Sequence, residues 1–229
     1  MKIIHSGHIG DILAFVPTYR KLGGTELIVT NHDPSWPPME GFRYDSLKPL
    51  LDHLSIPSQF QINPKGDLDT RDFRRIYDPQ VSLLVTQAKY CGIEPHESPW
   101  IEATPSKKTN GRVLVSRTAR YHNYNFPWKK VMRHLGSRAV FMGTPEEHLA
   151  FQQDVQMPVE YLPTADCLEM AEAIAGSDLY IHNQSAGFWI AAGMRHPQIQ
   201  ETSDVHNDTF LDYPEARYVR NEYLDIFSL

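Results

Sequence analysis

The stretch from residue 178 to residue 193 constrains the fold of this chain more than any other segment. An apolar run, Leu179 to Ile181, leads into a polar turn, His182 to Ser185, and a helix rich in small residues follows and stops at Gly193. This order predicts a β-strand that delivers a turn onto a helix N-terminus. The first N–H groups of a helix are unpaired and its dipole is positive there, so the turn either holds an anionic group or is an ordinary connection.

The N-terminus repeats this design. An apolar strand at Ile3 and Ile4 precedes a turn, and a helix that reaches Leu22 follows. Glycine lets a ligand approach the backbone closely, so we predict that the turn lines the acceptor side of a cleft. Asp11 stands at the start of the helix, where it is either a general base or only a residue that favours the helix dipole. The predicted acceptor-side residues are Gly7, His8 and Gly10.

A polar stretch from Ala103 to Gly111 divides the chain, and we interpret it as a linker. The predicted domains are therefore residues 1–105, on the acceptor side, and residues 106–229. After the linker, short apolar strands alternate with helices, which predicts an α/β fold with parallel sheets and ligands beyond the strand C-termini. We expect two Rossmann-like parallel-sheet domains that face a cleft. The strands predicted after the linker are Val113–Val115, Ala139–Met142, Val159–Leu162 and Leu179–Ile181.

Composition excludes several classes of protein. The chain has 229 residues, a net charge of -6 and a pI near 6.0, which argues against broad electrostatic binding to nucleic acid. No apolar run approaches the roughly 20 residues of a membrane span, and the first residues lack a signal-peptide pattern. We therefore expect a cytoplasmic protein without a transmembrane segment. Cys91 and Cys167 are far apart, which indicates neither a disulfide framework nor a zinc site.

Charged residues follow two of the predicted strands. Arg117 and Arg120 come after Val113–Val115, where they either neutralise a diphosphate or belong to a solvated loop. Glu146 and Glu147 come after the next strand, where a carboxylate often accepts hydrogen bonds from a nucleotide ribose. One of the two glutamates is expected to close a capping box at the start of the following helix.

These segments together resemble glycosyltransferase family 9, the ADP-heptose:lipopolysaccharide heptosyltransferase type, whose members have the GT-B fold. Residues 7–22 are similar to the family's "GDxxxxxP" helix. Residues 115–128 resemble its strand and loop that end in an aromatic-Pro pair, here Phe126 and Pro127. Residues 140–147 resemble its "GGPEE" turn, and residues 168–193 resemble the segment that contains "NDSG".

The resemblance implies a glycosyltransferase that uses a nucleotide-diphosphate sugar and a carbohydrate or other hydroxyl acceptor. It implies no metal and no other cofactor, and it makes Asp11 the general base. The chain departs from the family at Gln184, where an Asp is usual, at Ala186, where a Gly is usual, and at Tyr124, where a Lys is usual. The donor-binding residues implied are Arg117, Arg120, Tyr124, Gly143, Glu146, Asn183, Gln184, Ser185 and Ala186.

Two other functions stay open at this point. One is a binding protein that keeps the fold but has lost transfer, which the departures favour and an intact Asp11 opposes. The other is a transferase that acts on a modified nucleobase in DNA, which the acidic net charge disfavours.

Overall fold

The strands of this chain form two parallel sheets in a computed structural model that describes residues 1–31, 43–95, 99–203 and 208–219. The first sheet contains β1 (Lys2–Ser6), β2 (Glu26–Thr30), β3 (Ser58–Phe60) and β4 (Leu68–Asp69) in the order β3-β2-β1-β4. The second contains β5 (Val113–Ser116), β6 (Ala139–Met142), β7 (Glu160–Leu162), β8 (Leu179–Asn183), β9 (Gln198–Glu201) and β10 (Ala216–Val219) in the order β10-β9-β8-β5-β6-β7. The predicted α/β fold with two parallel sheets is confirmed.

Helices connect these strands, and their ends follow the local sequence. The first helix stops before Gly23, which has φ of +68°, a left-handed conformation that glycine adopts without strain. The fifth begins at the predicted capping box, in which Thr144 and Glu147 exchange side-chain and backbone hydrogen bonds. The α-helices are α1 (Ile9–Lys21), α2 (Tyr44–His53), α3 (Leu83–Tyr90), α4 (Trp128–Leu135), α5 (Pro145–Val155), α6 (Cys167–Gly176) and α7 (Ala186–Met194).

Each sheet has a switch point, where the chain changes the direction in which it adds strands. In the second sheet the switch lies between β5 and β8, and the six strands follow the order of dinucleotide-binding folds. In the first sheet it lies between β1 and β4. Because ligands of such sheets bind beyond the strand C-termini at a switch point, the loops after these four strands define where to look for a site.

A continuous hydrophobic core joins the two sheets. Helix α1 packs against α7, and α2 packs against α6, so residues such as Leu13 and Ile190 belong to one cluster. A second cluster fills the opposite face of the second sheet, beneath α4 and α5.

The predicted linker is packed against the second unit. The N–H of Ser106 donates to the carbonyl of Glu172 at 2.9 Å, and the Thr109 hydroxyl donates to the carbonyl of Ala173 at 2.9 Å. Residues 107–109 form a short 3₁₀ helix that rests on α6. The division into residues 1–105 and 106–229 stays a prediction, but the stretch between them is not a free tether.

Candidate functional site

Asp11 lies at the switch point of the first sheet, in the first turn of α1. The preceding turn is tight: Gly7 has φ of +133°, and a Cβ there would lie 2.3 Å from the Cβ of Asp11. The Asp11 carboxylate accepts a hydrogen bond from the backbone N–H of His8 at 2.6 Å and forms an ion pair with Arg74 at 2.6 Å. Arg74 belongs to the 3₁₀ helix Arg71–Ile76, which follows β4. The loops after β1 and β4 thus place an acid against a guanidinium.

Burial raises the pKa of the Asp11 carboxyl above its ordinary value. The charge of Arg74 and the N–H of His8 oppose this effect, and the negative charge of Asp208 adds to it. A helix N-terminus alone would favour the ionised form and lower the pKa, but desolvation outweighs that contribution here. A carboxylate with a raised pKa is the stronger proton acceptor, which suits a general base.

The buried side chain of His5 packs against α1. His5 stacks on Phe15 with ring centroids 4.0 Å apart, and burial lowers the pKa of His5 to about 3. The Gln87 Nε2 donates to the carbonyl of Asp11 at 3.0 Å and lies 3.2 Å from His5 Nε2. His5 Nε2 is therefore the acceptor, and Nδ1 carries the proton toward the Thr70 hydroxyl at 2.8 Å. The backbone of Asp11 is held by neutral groups.

Asn183, at the end of β8, holds the loop that follows β5. Its Oδ1 accepts hydrogen bonds from the backbone N–H and the hydroxyl of Thr118, at 2.9 and 3.3 Å. Its Nδ2 donates to the carbonyls of Thr118 and Arg120, at 3.0 and 2.5 Å. These contacts use both donors and both acceptor sites of the amide. The structure therefore places Asn183 behind the loop, where it shapes the predicted donor site and has no bonding group left over for a ligand.

Arg117 forms ion pairs within the second unit. Its Nε and Nη2 donate to the carboxylate of Glu201, both at 2.9 Å, and its Nη1 pairs with Asp154 at 2.5 Å. Glu201 is fully buried and also accepts a hydrogen bond from the indole N–H of Trp128 at 2.8 Å. These two carboxylates already compensate the charge of the guanidinium, which therefore anchors the second unit. Its predicted contact with a diphosphate stays a prediction.

Arg120 is the cation that the same loop directs toward α1. Its side chain lies over the ring of Tyr121, 5.5 Å from the centroid, and no acid forms an ion pair with it in the described parts of the chain. Burial lowers the pKa of His8, and the charges of Arg120 and Arg74 lower it further. Arg120 therefore acts electrostatically on the first turn of α1. Tyr124, in the same loop, is 90% exposed.

Three hydroxyl groups meet at the start of α7. Tyr180 is 1% exposed, and its hydroxyl lies 2.5 Å from the hydroxyl of Ser116. Ser185, the N-cap of α7, lies near this hydroxyl: burial raises the pKa of Tyr180 to about 12, while the side chains of Ser116 and Ser185 oppose that rise. The predicted phosphate-binding serine is thus held by a buried tyrosine at the helix N-terminus.

Asp208 bridges the two units beside this helix. Its Oδ1 accepts a hydrogen bond from the Gln184 side-chain amide at 3.1 Å, and its Oδ2 accepts one from the Tyr77 hydroxyl at 2.7 Å. The N–H of Leu83 donates to its carbonyl at 2.7 Å. Gln184 is 3% exposed, and among the described residues its Oε1 has no hydrogen-bond partner.

The two glutamates after β6 divide their roles. Glu147 accepts a hydrogen bond from the N–H of Thr144 at 3.0 Å and is the cap. Glu146 is exposed and is the one available to a ribose. The carbonyl of Gly143 accepts a hydrogen bond from the Tyr161 hydroxyl at 3.0 Å.

The N-termini of α1 and α7 pack against each other. A Cβ added at Gly10 would lie 3.0 Å from Cδ1 of Trp189 and 3.9 Å from the Cα of Ala186. The missing side chain at Gly10 thus admits a tryptophan, whereas we predicted that it admits a ligand. Trp189 is 2% exposed, which confirms that it is a core residue. Asp11 and the start of α7 are therefore neighbours.

Sequence reasoning missed four residues of this region. Arg74 follows β4, a strand of two residues that leaves no periodic signal, and only the strand order shows that it faces β1. Tyr180 lies inside an apolar strand, where a tyrosine is expected to be core. Tyr77 and Asp208 become neighbours only through the tertiary fold.

The described ranges contain no group of three or more His, Cys, Asp or Glu side chains arranged to hold a metal ion. They also contain no helix long and apolar enough to cross a membrane.

Two Rossmann-like units with helix N-termini facing each other define a GT-B-like α/β protein. Solved structures of glycosyltransferase family 9 share this fold. The family 9 glycosyltransferase from Veillonella parvula aligns with a TM-score of 0.59 and 12% identity, over 95% of this chain and 85% of that one. The E. coli heptosyltransferase WaaC with ADP-2-deoxy-2-fluoro heptose aligns with a TM-score of 0.53 and 13% identity, over 96% and 93%.

A third structure is the dodecameric iron-containing heptosyltransferase TibC in complex with ADP-D-β-D-heptose, with a TM-score of 0.61 and 14% identity. The alignment covers 94% of this chain, which spans 61% of the length of TibC. No protein-family model and no curated protein sequence matches the chain. At these identities the likeness establishes a common fold.

Proposed function

We propose that the protein is a metal-independent glycosyltransferase that moves a sugar from a nucleotide diphosphate to an acceptor hydroxyl. One observation carries the proposal: Asp11, a buried carboxylate with a raised pKa, lies beside the N-terminus of α7. A proton acceptor and an anion-binding helix end, supplied by opposite units, are what this transfer requires. The shared fold with glycosyltransferases supports the same conclusion.

In the proposed reaction, Asp11 takes the proton from the acceptor hydroxyl. The acceptor oxygen then forms a bond to the anomeric carbon, and the bond from that carbon to the diphosphate oxygen breaks. The electron pair of that bond leaves with the nucleotide diphosphate. The unpaired N–H groups of α7, the hydroxyl of Ser185 and the guanidinium of Arg120 stabilise the charge that develops there. No other cofactor enters this step.

The other groups assist in stated ways. Glu146 is proposed to accept hydrogen bonds from the ribose, as its exposed carboxylate after β6 allows. Arg74 keeps Asp11 in place through its ion pair, and His8 fixes the second carboxylate oxygen through its backbone N–H. The acceptor is proposed to be a carbohydrate or another hydroxyl compound that enters from the β1 side.

A second candidate is a binding protein without transfer activity, and one contact favours it. The Gln184 amide is bound to Asp208, so a protein carboxylate lies beside the N-terminus of α7. A negative charge in that position repels a diphosphate. Binding of DNA is the weakest candidate, and strong salt-dependent binding to DNA would revive it.

A thermal-shift series tests the proposal directly, with ADP, UDP and GDP compared with AMP, UMP and GMP at the same concentrations. A ligand at 100 times its Kd adds about 2.7 kcal/mol of stability. For a chain of this size, that corresponds to a rise in Tm of about 5–10 °C. We expect one diphosphate to stabilise the protein more than the matching monophosphate. If no diphosphate raises the Tm, the proposed donor site is refuted. If one diphosphate does, but its sugar conjugate is not consumed with any hydroxyl acceptor, the second candidate, a binding protein without transfer activity, is correct.

A further inference from the structure

Tyr121 has a backbone conformation that its place in the chain does not explain. Its φ is +58°, in the left-handed region that bulky residues rarely adopt. Among the described residues, the other non-glycine positions with positive φ are Ser55, Gln156 and Arg195. Each of these follows the end of a helix, where the left-handed conformation is routine. Tyr121 lies in the loop between β5 and α4 and ends no helix.

Burial of the ring does not account for this conformation either. Tyr121 is 37% exposed, so its ring is not a core side chain that the fold has to accommodate. The ring instead faces the guanidinium of Arg120, 5.5 Å from its centroid, which is within cation–π range. The pKa of Tyr77 is raised chiefly by burial and also by Tyr121, so the ring lies near the first unit.

Arg120 is therefore held at both ends. Asn183 donates to its backbone carbonyl at 2.5 Å, which fixes the main chain of the loop. The Tyr121 ring lies against its guanidinium, which restricts the long side chain. Fixing a flexible arginine before a ligand arrives reduces the entropy lost on binding.

We propose that Tyr121 is a positioning residue for Arg120, whose strained backbone lays the ring against the guanidinium and keeps that cation between the starts of α1 and α7. The proposal rests on the proposed function, because it takes Arg120 as a ligand of the nucleotide diphosphate. The proposal adds Tyr121 to the residues of the donor site. It also explains the backbone strain at Tyr121, which persists because the ring is needed in that position.

The test measures the Kd of ADP by isothermal titration for the wild type and for Tyr121→Phe, Tyr121→Ala and Tyr121→Gly. The phenylalanine keeps the ring, so we expect a Kd within about twofold of the wild type. Alanine and glycine remove the ring, and we expect ADP to bind about 3- to 30-fold more weakly, the range of a cation–π contact. Equal binding by all variants would overturn the proposal. Loss in Tyr121→Phe as large as in Tyr121→Ala would also overturn it, because the hydroxyl would then be the functional group.

A double-mutant cycle shows whether Tyr121 acts through Arg120. Arg120→Ala alone is expected to weaken ADP binding about 10- to 100-fold. In the background of Arg120→Ala, the further change Tyr121→Ala should have almost no effect, because the residue it positions is gone. Independent, multiplicative losses would show that the ring contacts the nucleotide by itself, and the positioning role would be wrong.

Thermal unfolding tests the backbone part of the proposal, and Gln156 provides a matched control. Its φ is +57°, and it is exposed at the end of α5. Glycine adopts this conformation without strain and alanine does not. We therefore expect the glycine variant to have the higher Tm at both positions, by about 2–4 °C. The alanine and glycine variants at Tyr121 should also weaken ADP binding, whereas those at Gln156 should not. A higher Tm for Tyr121→Ala than for Tyr121→Gly would contradict a strained backbone at Tyr121.

Failure of this proposal is distinct from failure of the proposed function. If the wild type binds no nucleotide diphosphate, the proposed function is refuted before any variant is compared. If the wild type binds ADP and the variants without a ring bind it equally well, only the role of Tyr121 is refuted.

Discussion

The starts of α1 and α7 both follow a strand-to-helix turn, and they differ in electrostatic content. The first turn of α1 contains Asp11, whose carboxylate forms a largely buried ion pair with Arg74. The first turn of α7 contains no charged residue. The polar groups just before it are the side-chain amides of Asn183 and Gln184 and the hydroxyl of Ser185. A strand-to-helix turn is therefore not a function by itself. Its side chains decide whether it moves a proton or holds an anion.

The difference extends to how each turn is supported. At α1, neutral groups such as His5 and Gln87 hold the main chain, while Arg74 and the N–H of His8 hold the carboxylate. Near α7, the charged groups are Arg117 and Glu201, whose ion pair is not part of the turn itself. It anchors the loop that carries Arg120. In the first unit the ion pair lies in the proposed catalytic turn, whereas in the second it lies in the structure that supports the proposed donor site.

The largest effect that this contrast predicts is on turnover when Asp11 is changed to Asn. The amide keeps the size of the side chain and removes the proton acceptor. We expect turnover to fall about 10²- to 10⁴-fold. The Kd of ADP should be almost unchanged, because donor binding is assigned to the α7 side. Unchanged turnover would reduce Asp11 to a residue that stabilises the helix.

The pH dependence of kcat/KM sharpens the same prediction. Burial raises the pKa of Asp11, so the base is lost on acidification at a pH above the ordinary range of a carboxyl group. We expect activity to decline on the acid side with that displaced midpoint, and the midpoint to be absent from the residual activity of Asp11→Asn. A midpoint in the ordinary range would mean that Arg74 outweighs burial.

The next largest effect separates the two arginines of the β5 loop. Arg117→Ala leaves Glu201 buried without its partner, which we expect to lower the free energy of unfolding by about 3–5 kcal/mol. Arg120→Ala removes an exposed cation and should change stability by less than about 0.5 kcal/mol. Urea unfolding of both variants measures the difference. A stable Arg117→Ala that binds ADP poorly would instead support the predicted donor role of Arg117.

The smallest effect concerns the two histidines beneath the turns, His5 and His182. Burial lowers the pKa of His5 to about 3 and that of His182 to about 4, below the ordinary value of 6.5. Both are neutral in the folded protein while the unfolded chain takes up protons below pH 6.5. The stability that they contribute is therefore present above that pH and is lost as the pH falls toward 4.

We expect each histidine to account for about 2 kcal/mol of lost stability between pH 7 and pH 5. The measurement is urea unfolding at both pH values. In His5→Gln and in His182→Gln, the decrease in the free energy of unfolding from pH 7 to pH 5 should be smaller by the contribution of the replaced histidine. His134→Gln, at an exposed position of α4, is the control. An unchanged loss in both buried-site variants would refute the neutral state of these rings.

The fold was largely predictable because its signals are local. Capping at Thr144 and Glu147 and the glycine stop after α1 mark helix ends within a few residues. The sequence from Pro79 to Tyr90 predicts a helix, but the helix begins only at Leu83 because the residues before it form turns. Strands β9 and β10 leave no signal from which they were predicted. The prolines between residues 31 and 99 predict short, irregular pieces, and residues 32–42 of that stretch lie outside the described residues.

The site was predictable only in part, because its partners are distant in sequence. Asp11 and Arg74 are separated by 63 positions, and Arg117 and Glu201 by 84. A sequence shows that an arginine follows a strand, but not which carboxylate its guanidinium will meet. Arg117 and Arg120 looked equivalent for that reason, and only the packed structure distinguishes a buried ion pair from an exposed cation.

The contact of Gly10 with Trp189 links the two halves of the chain through the size of two side chains. A Cβ at position 10 would lie 3.0 Å from Cδ1 of Trp189, so the indole ring would have to move by a few tenths of an ångström to admit even a methyl group. The space available to a side chain at position 10, in the first half of the chain, is therefore set by a residue of the second half.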